Sequence, residues 1–312
     1  ASGRETAVVL NPDYQASGRA VDSVLWAWLL DQVPRASRQA RQSSRVNLVG
    51  FGGRGLPQTS ELVASLESCG AEVGACLVPT YDEEALARFD ESATTVESPC
   101  SVVRSAFAAA SRDAGGRWIA PPAPFGIDGT LAWLGSVVEA AAAGGTLPGI
   151  EAIQGAAEAA RSELAELAET SSKVAVAAVT SSRYCTFLFE PAEVFGIPLV
   201  ELLDELGIGL EVFLLRDGLP PPELEGALER SPSATLRAFS DRGPLLQALS
   251  ASPAQLMLTS IRRNELALKT GKVPLFASAF EMGLAGAVRS RRRLERLARS
   301  PFARTYRRVL SS

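Results

Sequence analysis

The chain has 312 residues, 46% of them apolar and 21% charged, with a formal net charge of −4. This is the composition of a globular protein long enough for two domains with cores of their own, and it excludes disordered and collagen-like classes. Histidine is absent from the sequence, which removes the base or ligand that Ser-His-Asp, Cys-His and zinc-hydrolase mechanisms need.

Residues 1–44 read as the remainder of a preceding α/β domain plus a linker: a strand at Thr6–Leu10, a helix at Ala20–Asp31, then polar Pro34–Ser44. A start at Ala1 so close to a strand implies that something upstream is missing. Arg45–Phe51 (RVNLVGF) is a buried strand, followed by the loop Gly52-Gly53-Arg54-Gly55 and a helix from Gln58 to Ser68. Next come strand Ala71–Val78, helix Asp82–Phe89 and strand Thr94–Glu97. Ser98-Pro99 breaks that strand, and a helix over Ser101–Arg112 places Cys100 near its first turn, where unpaired N–H groups point outward. Strand Arg117–Ala120 runs into a Pro-Pro-x-Pro-Phe-Gly turn, and a helix follows from Thr130 to Ala143.

An amphipathic helix over Gly149–Thr170 is suited to bridging two domains. The second block repeats the alternation. Its elements are strand Lys173–Val179, helix Pro191–Leu206, strand Leu210–Leu215, helix Glu223–Glu229, strand Ala234–Ala238, helix Pro244–Leu249, strand Gln255–Thr259, helix Arg263–Thr270 and strand Val273–Ser278. Strict alternation of strand and helix implies α/β architecture: repeated doubly wound, Rossmann-like domains with parallel sheets. The expected domains are 45–150, carrying Cys100, and 151–312, ending in a basic helix.

Ligands of such sheets gather at the carboxyl ends of strands, which directs attention to a few residues. Gly52–Gly55 resembles a phosphate-cradling loop but lacks the GxGxxG spacing, a Walker lysine and an acidic residue on the next strand, so a turn allowing close approach of another ligand or subunit is the better reading. Cys100 is a nucleophile, a soft iron ligand or an inert half-buried thiol. The four cysteines, Cys69, Cys76, Cys100 and Cys185, are spaced without a CxxC pair, indicating neither a self-contained zinc site nor a disulfide framework; a reducing cytoplasm fits. Arg262-Arg263, after the Gln255 strand, lies at a sheet mouth suited to gripping a carboxylate, or on a plain helix start. Nine arginines between Arg289 and Arg308 face a single Glu295. With no interleaved aromatics beyond Phe302 and Tyr306, in an acidic chain, they read as a solvated face or a dock for an acidic partner rather than a nucleic-acid site. No apolar run approaches the roughly 20 residues of a membrane span.

Taken in order, NPDYQASGRAVDSVL (Asn11–Leu25), RVNLVG (Arg45–Gly50) and the Cys100 segment with Trp118 and Phe125-Gly126 resemble the nitrogenase component 1 family. The later pieces APFGIDGTLAWL (Ala123–Leu134), FGIPLVELLDELGI (Phe195–Ile208) and FASAFEMGLAGAV…LARSPFARTYRR (Phe276–Arg308) are similar to N subunits of light-independent protochlorophyllide reductases. The resemblance implies a subunit of a two-component, ATP-dependent iron–sulfur reductase acting on a tetrapyrrole in the bacterial cytosol or plastid stroma. It would pair with a homologous second subunit in a heterotetramer and receive electrons from a separate iron–sulfur reductase dimer that binds the ATP. A [4Fe-4S] cluster would be shared with the partner subunit, its ligands mostly outside this chain. The resemblance also implies a substrate-binding set of Gly53, Arg54, Cys100, Phe125, Arg262 and Phe280, with Phe125 and Phe280 stacking on the macrocycle, Asp128 as proton source and Cys100 as a cluster ligand. The lack of histidine argues against a complete nitrogenase-type cofactor site. A cofactor-assembly scaffold, a non-catalytic binding subunit and a periplasmic binding protein are the alternatives.

Overall fold

The computed structural model describes residues 42–51, 57–77, 83–87, 89–99, 108, 115–142, 149–170, 173–218, 222–259, 264–301 and 305. In chain order the elements are β1 (Gln42–Val49), α1 (Pro57–Ser68), β2 (Glu72–Leu77), α2 (Glu83–Ala87), β3 (Ser92–Glu97), β4 (Arg117–Ile119), α3 (Gly126–Ala141) and α4 (Gln154–Thr170). They continue with β5 (Ala175–Ser181), α5 (Leu199–Glu205), β6 (Gly209–Leu215), α6 (Pro222–Glu229), β7 (Ala234–Phe239), α7 (Arg242–Ala251), β8 (Leu256–Thr259), α8 (Asn264–Lys269), β9 (Val273–Pro274) and α9 (Leu284–Arg299). The strands form two parallel sheets, ordered β2-β1-β3-β4 and β7-β6-β5-β8-β9. The expected α/β class is therefore observed, with one sheet in each half.

The compact units are discontinuous in sequence. One comprises 1–54, 70–121 and 137–147; the other comprises 55–69, 122–136 and 148–312. Helix α1 and the first part of α3 thus pack with the second sheet's unit although they are encoded among the first sheet's strands. In the first unit, Val46, Leu48 and Val49 of β1 are fully buried, as befits a central parallel strand covered on both faces. Fully buried Asn47 is accounted for by its hydrogen bonds. Its Nδ2 donates to Phe89 O at 2.8 Å, and its Oδ1 accepts from Ala75 N at 3.1 Å and Ser92 Oγ at 2.8 Å. One amide thus ties β1 to both neighbours where the β1–β2 register shifts. In the second unit, alternate faces of β5 bury Val176 and Ala178 in one cluster and Ala177 in another.

Three expected elements take different forms. The helix expected over 191–206 divides into a 3₁₀ turn, Pro191–Val194, and α5. Phe195 and Gly196 have φ of 57° and 82°, and Pro198 follows, so the helix cannot run through. The strand expected over 273–278 is only two residues long and passes into the 3₁₀ turn Ala277–Ala279. Helix α3 begins at Gly126 rather than Thr130, because groups distant in sequence supply its first turn with partners.

Candidate functional site

In each sheet the chain order reverses beside the first strand of its block, between β1 and β3 in one and between β5 and β8 in the other. Crevices at the carboxyl ends of such strands are where open α/β sheets bind ligands. In the first unit, Ser98 N–H donates to Val49 O at 2.8 Å and Gly50 N–H to Leu77 O at 2.9 Å, carrying the ladder to the strand ends. Glu97 there is fully buried, and the Trp118 indole N–H donates to its Oε2 at 2.8 Å. The segments holding Gly53 and Arg54, after β1, and Cys100, after β3, follow these two adjacent strands. All three residues lie outside the described residues, as does the helix expected over Ser101–Arg112 apart from helical Ala108.

The second unit brings three of the sequence motifs to one junction. Phe125 forms an antiparallel bridge with Met282, and Gly283 N–H donates to Pro124 O at 2.9 Å, so α3 and α9 start from neighbouring glycines. Gly126 has φ of 76° and Gly283 φ of 93°, conformations that glycine adopts at little cost. Each helix start is closed by a carboxylate from another helix. Glu205 of α5 accepts from Ile127 N–H and, at 3.4 Å, from Asp128 N–H; Glu61 of α1 accepts from Ala285 N–H at 2.7 Å. A negative group at a helix N-terminus answers both the orphan donors and the macrodipole. The APFG, LLDE and EMG segments are thus three parts of one structural joint. Burial pushes the Glu205 carboxyl above its ordinary range, and nearby Asp128 adds to this, against the pull of the Ile127 hydrogen bond.

Around that joint, Asp128 occupies the exposed first turn of α3 and forms an ion pair with Arg161 at 2.7 Å. Phe125 and Phe280, expected to face a flat ligand, are instead 7% and 5% exposed and belong to one apolar cluster. The bridge to Met282 turns Phe125 inward. The exposed aromatic of the last segment is Phe276, at 54%.

Phe276 lines a crevice of about 270 Å³ with Tyr184, Thr186, Glu193, Leu258 and Leu275. These residues follow or end β5, β8 and β9, so the crevice occupies the switch point of the second sheet. Tyr184 is 57% exposed; shortly before it in sequence, the buried hydroxyls of Ser181 and Ser182 have no hydrogen-bond partner among the described residues. Arg262, three residues past the end of β8, lies outside the described residues. Sequence pattern alone did not single out Tyr184, Phe276 or Glu193, because the strand that would have placed Phe276 is so short. A β5-end loop carrying Ser-Ser-Arg-Tyr was the available signal.

Cys185 is fully buried and donates to Ser182 O at 3.4 Å. Burial pushes the Cys69 and Cys185 thiols up, which disfavours the thiolate that attack or iron ligation requires. Among the described residues no three His, Cys, Asp or Glu side chains converge as metal ligands. An iron–sulfur cluster therefore finds no ligand set there. No helix among them is long and apolar enough to cross a membrane.

Comparison with known proteins gives a consistent match at the level of fold. A family model described as nitrogenase component 1 type oxidoreductase matches residues 14–295. Two solved structures, nitrogenase Cp1 at pH 5 and at pH 6.5, superpose with a TM-score of 0.56 each, at 14% and 13% identity. They cover 93% and 92% of this chain, which in turn spans 63% and 64% of theirs. Curated proteins yield no match.

Proposed function

The chain belongs to the nitrogenase component 1 type oxidoreductase family, and on that premise we propose that it lines the substrate cavity of a two-component, ATP-dependent reductase. We take the substrate to be a flat tetrapyrrole such as protochlorophyllide. The observation that carries this reading is the crevice at the switch point of the second sheet, where Tyr184 and Phe276 expose large ring surfaces. Most exposed rings are expensive to leave in water unless a ligand or partner covers them. At about 270 Å³, the crevice is smaller than the roughly 300–1,000 Å³ of whole ligand pockets. It would take one edge of a macrocycle, with a homologous partner subunit completing the enclosure.

In this reading Tyr184 and Phe276 stack on the ring and exclude water. Arg262, on the segment after β8, pairs with a propionate. Asp128, which Arg161 meets at 2.7 Å, is the proposed proton source. Electrons would arrive from a separate ATP-binding reductase dimer through a [4Fe-4S] cluster shared with the partner subunit. That cluster would draw on Cys100 and on cysteines outside this chain, since the described residues supply no ligand set for it.

The test is an anaerobic absorbance titration with protochlorophyllide, using the complex purified from its native host, followed by ATP-dependent turnover. Binding that shifts the pigment's spectrum, and is weakened roughly tenfold by the double change Tyr184→Ala, Phe276→Ala, supports the reading. Absence of pigment binding, or binding indifferent to that double change, overturns it. Iron–sulfur precursor retained on this subunit, with no pigment affinity, would assign it to cofactor assembly instead.

A further inference from the structure

The C-terminal helix α9 divides its arginines between two roles. Arg291 lies on the buried face and is 1% exposed. Arg289, Arg292, Arg293, Arg296 and Arg299, spaced by three and four residues, share one flank of the helix. Over their ten-residue span the stripe runs about 15 Å. Together with Glu295 they line an open groove of about 540 Å³.

The upper end of the stripe shows what these guanidinium groups accept. Glu281 is held between Arg289, at 2.6 Å, and Arg293, one turn further on. Arg289 also reaches Glu61 at 3.1 Å, and Arg292 reaches Glu163 at 2.7 Å. The expected fully solvated face is thus partly occupied by carboxylates of the same chain. Further along, the pattern of paired arginines continues with fewer acids. Arg292 and Arg299 remain 60% and 61% exposed, Arg299 meets only its own helix's Glu295, and exposed Arg296 between them has no ion pair among the described residues. Arg292 and Arg296 repeat the four-residue spacing that grips Glu281.

From this we infer that the flank Arg292–Arg296–Arg299 is a docking surface for an acidic protein partner, whose carboxylates insert between these arginines as Glu281 does between Arg289 and Arg293. Arginine forks suit planar carboxylates. A nucleic acid is the less fitting occupant, because among the described residues no aromatic lines the groove and the chain outside 289–308 has 34 acidic and 22 basic residues, which repel a long polyanion. A short acidic segment placed along one helix flank escapes that repulsion.

The purified full-length protein is titrated with a short fluorescent oligo-L-glutamate peptide, just long enough to span the flank, and separately with a single-stranded DNA oligonucleotide of matched charge, from about 50 to about 500 mM salt, a range over which exposed charge pairs are progressively screened. The oligoglutamate peptide should bind at low salt and release as salt rises. The triple variant Arg292→Gln, Arg296→Gln, Arg299→Gln should weaken it roughly tenfold, at the scale of three exposed pairs. Arg230→Gln, which removes an equally exposed arginine just after α6, should leave binding unchanged, with circular dichroism confirming intact helix content in all variants. Failure of the oligoglutamate peptide to bind, equal loss in Arg230→Gln, or tighter binding of DNA than of the peptide would each overturn the inference.

Discussion

Replacing Gly126 with alanine tests the joint between α3, α5 and α9 most directly. The native φ of 76° costs an L-residue about 1–2 kcal/mol. The added Cβ would also overlap Oε2 of Glu205, driving that carboxylate away from Ile127 N–H. Loss of a helix cap is worth about 1 kcal/mol. Gly126→Ala should therefore destabilise by about 2–4 kcal/mol, Glu205→Ala by about 1–2 kcal/mol. In the double variant the backbone strain persists but the clash has no partner and the cap is lost only once. The two effects should then fall short of their sum by about 1 kcal/mol. Urea unfolding followed through Trp133, which is 1% exposed on α3, reads this difference. A single variant within about 0.5 kcal/mol of wild type, or strict additivity of the pair, would refute the account.

Glu281 lies below its ordinary pKa even though burial opposes this, because Arg289 and Arg293 hold the charged form. Its stabilisation is complete above about pH 4.3 and disappears as acidification passes through the lowered value. Glu281→Gln should cost about 2 kcal/mol at neutral pH, and the gap in melting temperature from wild type should close in acid. A pH-independent gap would count against it. Glu205 runs the opposite way: with its pKa raised, the contribution of the protonated form is present below about pH 4.3 and lost as pH rises through the raised value. Glu205→Gln, which keeps an acceptor for Ile127 N–H, should flatten that loss and be no less stable than wild type at neutral pH. Cys69 and Cys185, buried and shifted upward, should resist a water-soluble thiol reagent until the protein is unfolded, as judged by mass spectrometry of labelled peptides.

Much of the architecture was legible because parallel strands buried on both faces write themselves as short apolar runs. RVNLV and KVAVAAV both locate central strands to within a few residues. What local pattern missed were elements decided by distant partners. Gly126 to Gly129 holds two glycines and an aspartate and reads as a turn, yet Glu205, remote in sequence, closes it into helix. Conversely, Pro191–Leu206 reads as helix until the left-handed Phe195 and Gly196 divide it. Arginines 289 and 293 look solvent-directed by composition, and only the fold reveals that Glu281 and Glu61 wait beside them.

The same distinction bears on the candidate site. Reading along the chain, the natural neighbour of Cys100 is the Pro-Pro-x-Pro-Phe-Gly turn, because the two strand ends before them are close in sequence. Sheet order selects a different neighbour. The reversal falls between β1 and β3, so the first sheet's switch point lies at the ends of these two strands, and Gly53, Arg54 and Cys100 are the residues that follow them in sequence. Phe125-Gly126 meanwhile is committed to the joint with Met282-Gly283. Phe125, Gly126, Glu205 and Gly283 are held together because a joint admits few alternatives, whereas Tyr184 and Phe276 expose rings that packing alone would bury. Ligand chemistry is better sought at the second pair, where the fold leaves apolar surface open, than at the first group, whose geometry is already accounted for by its own contacts.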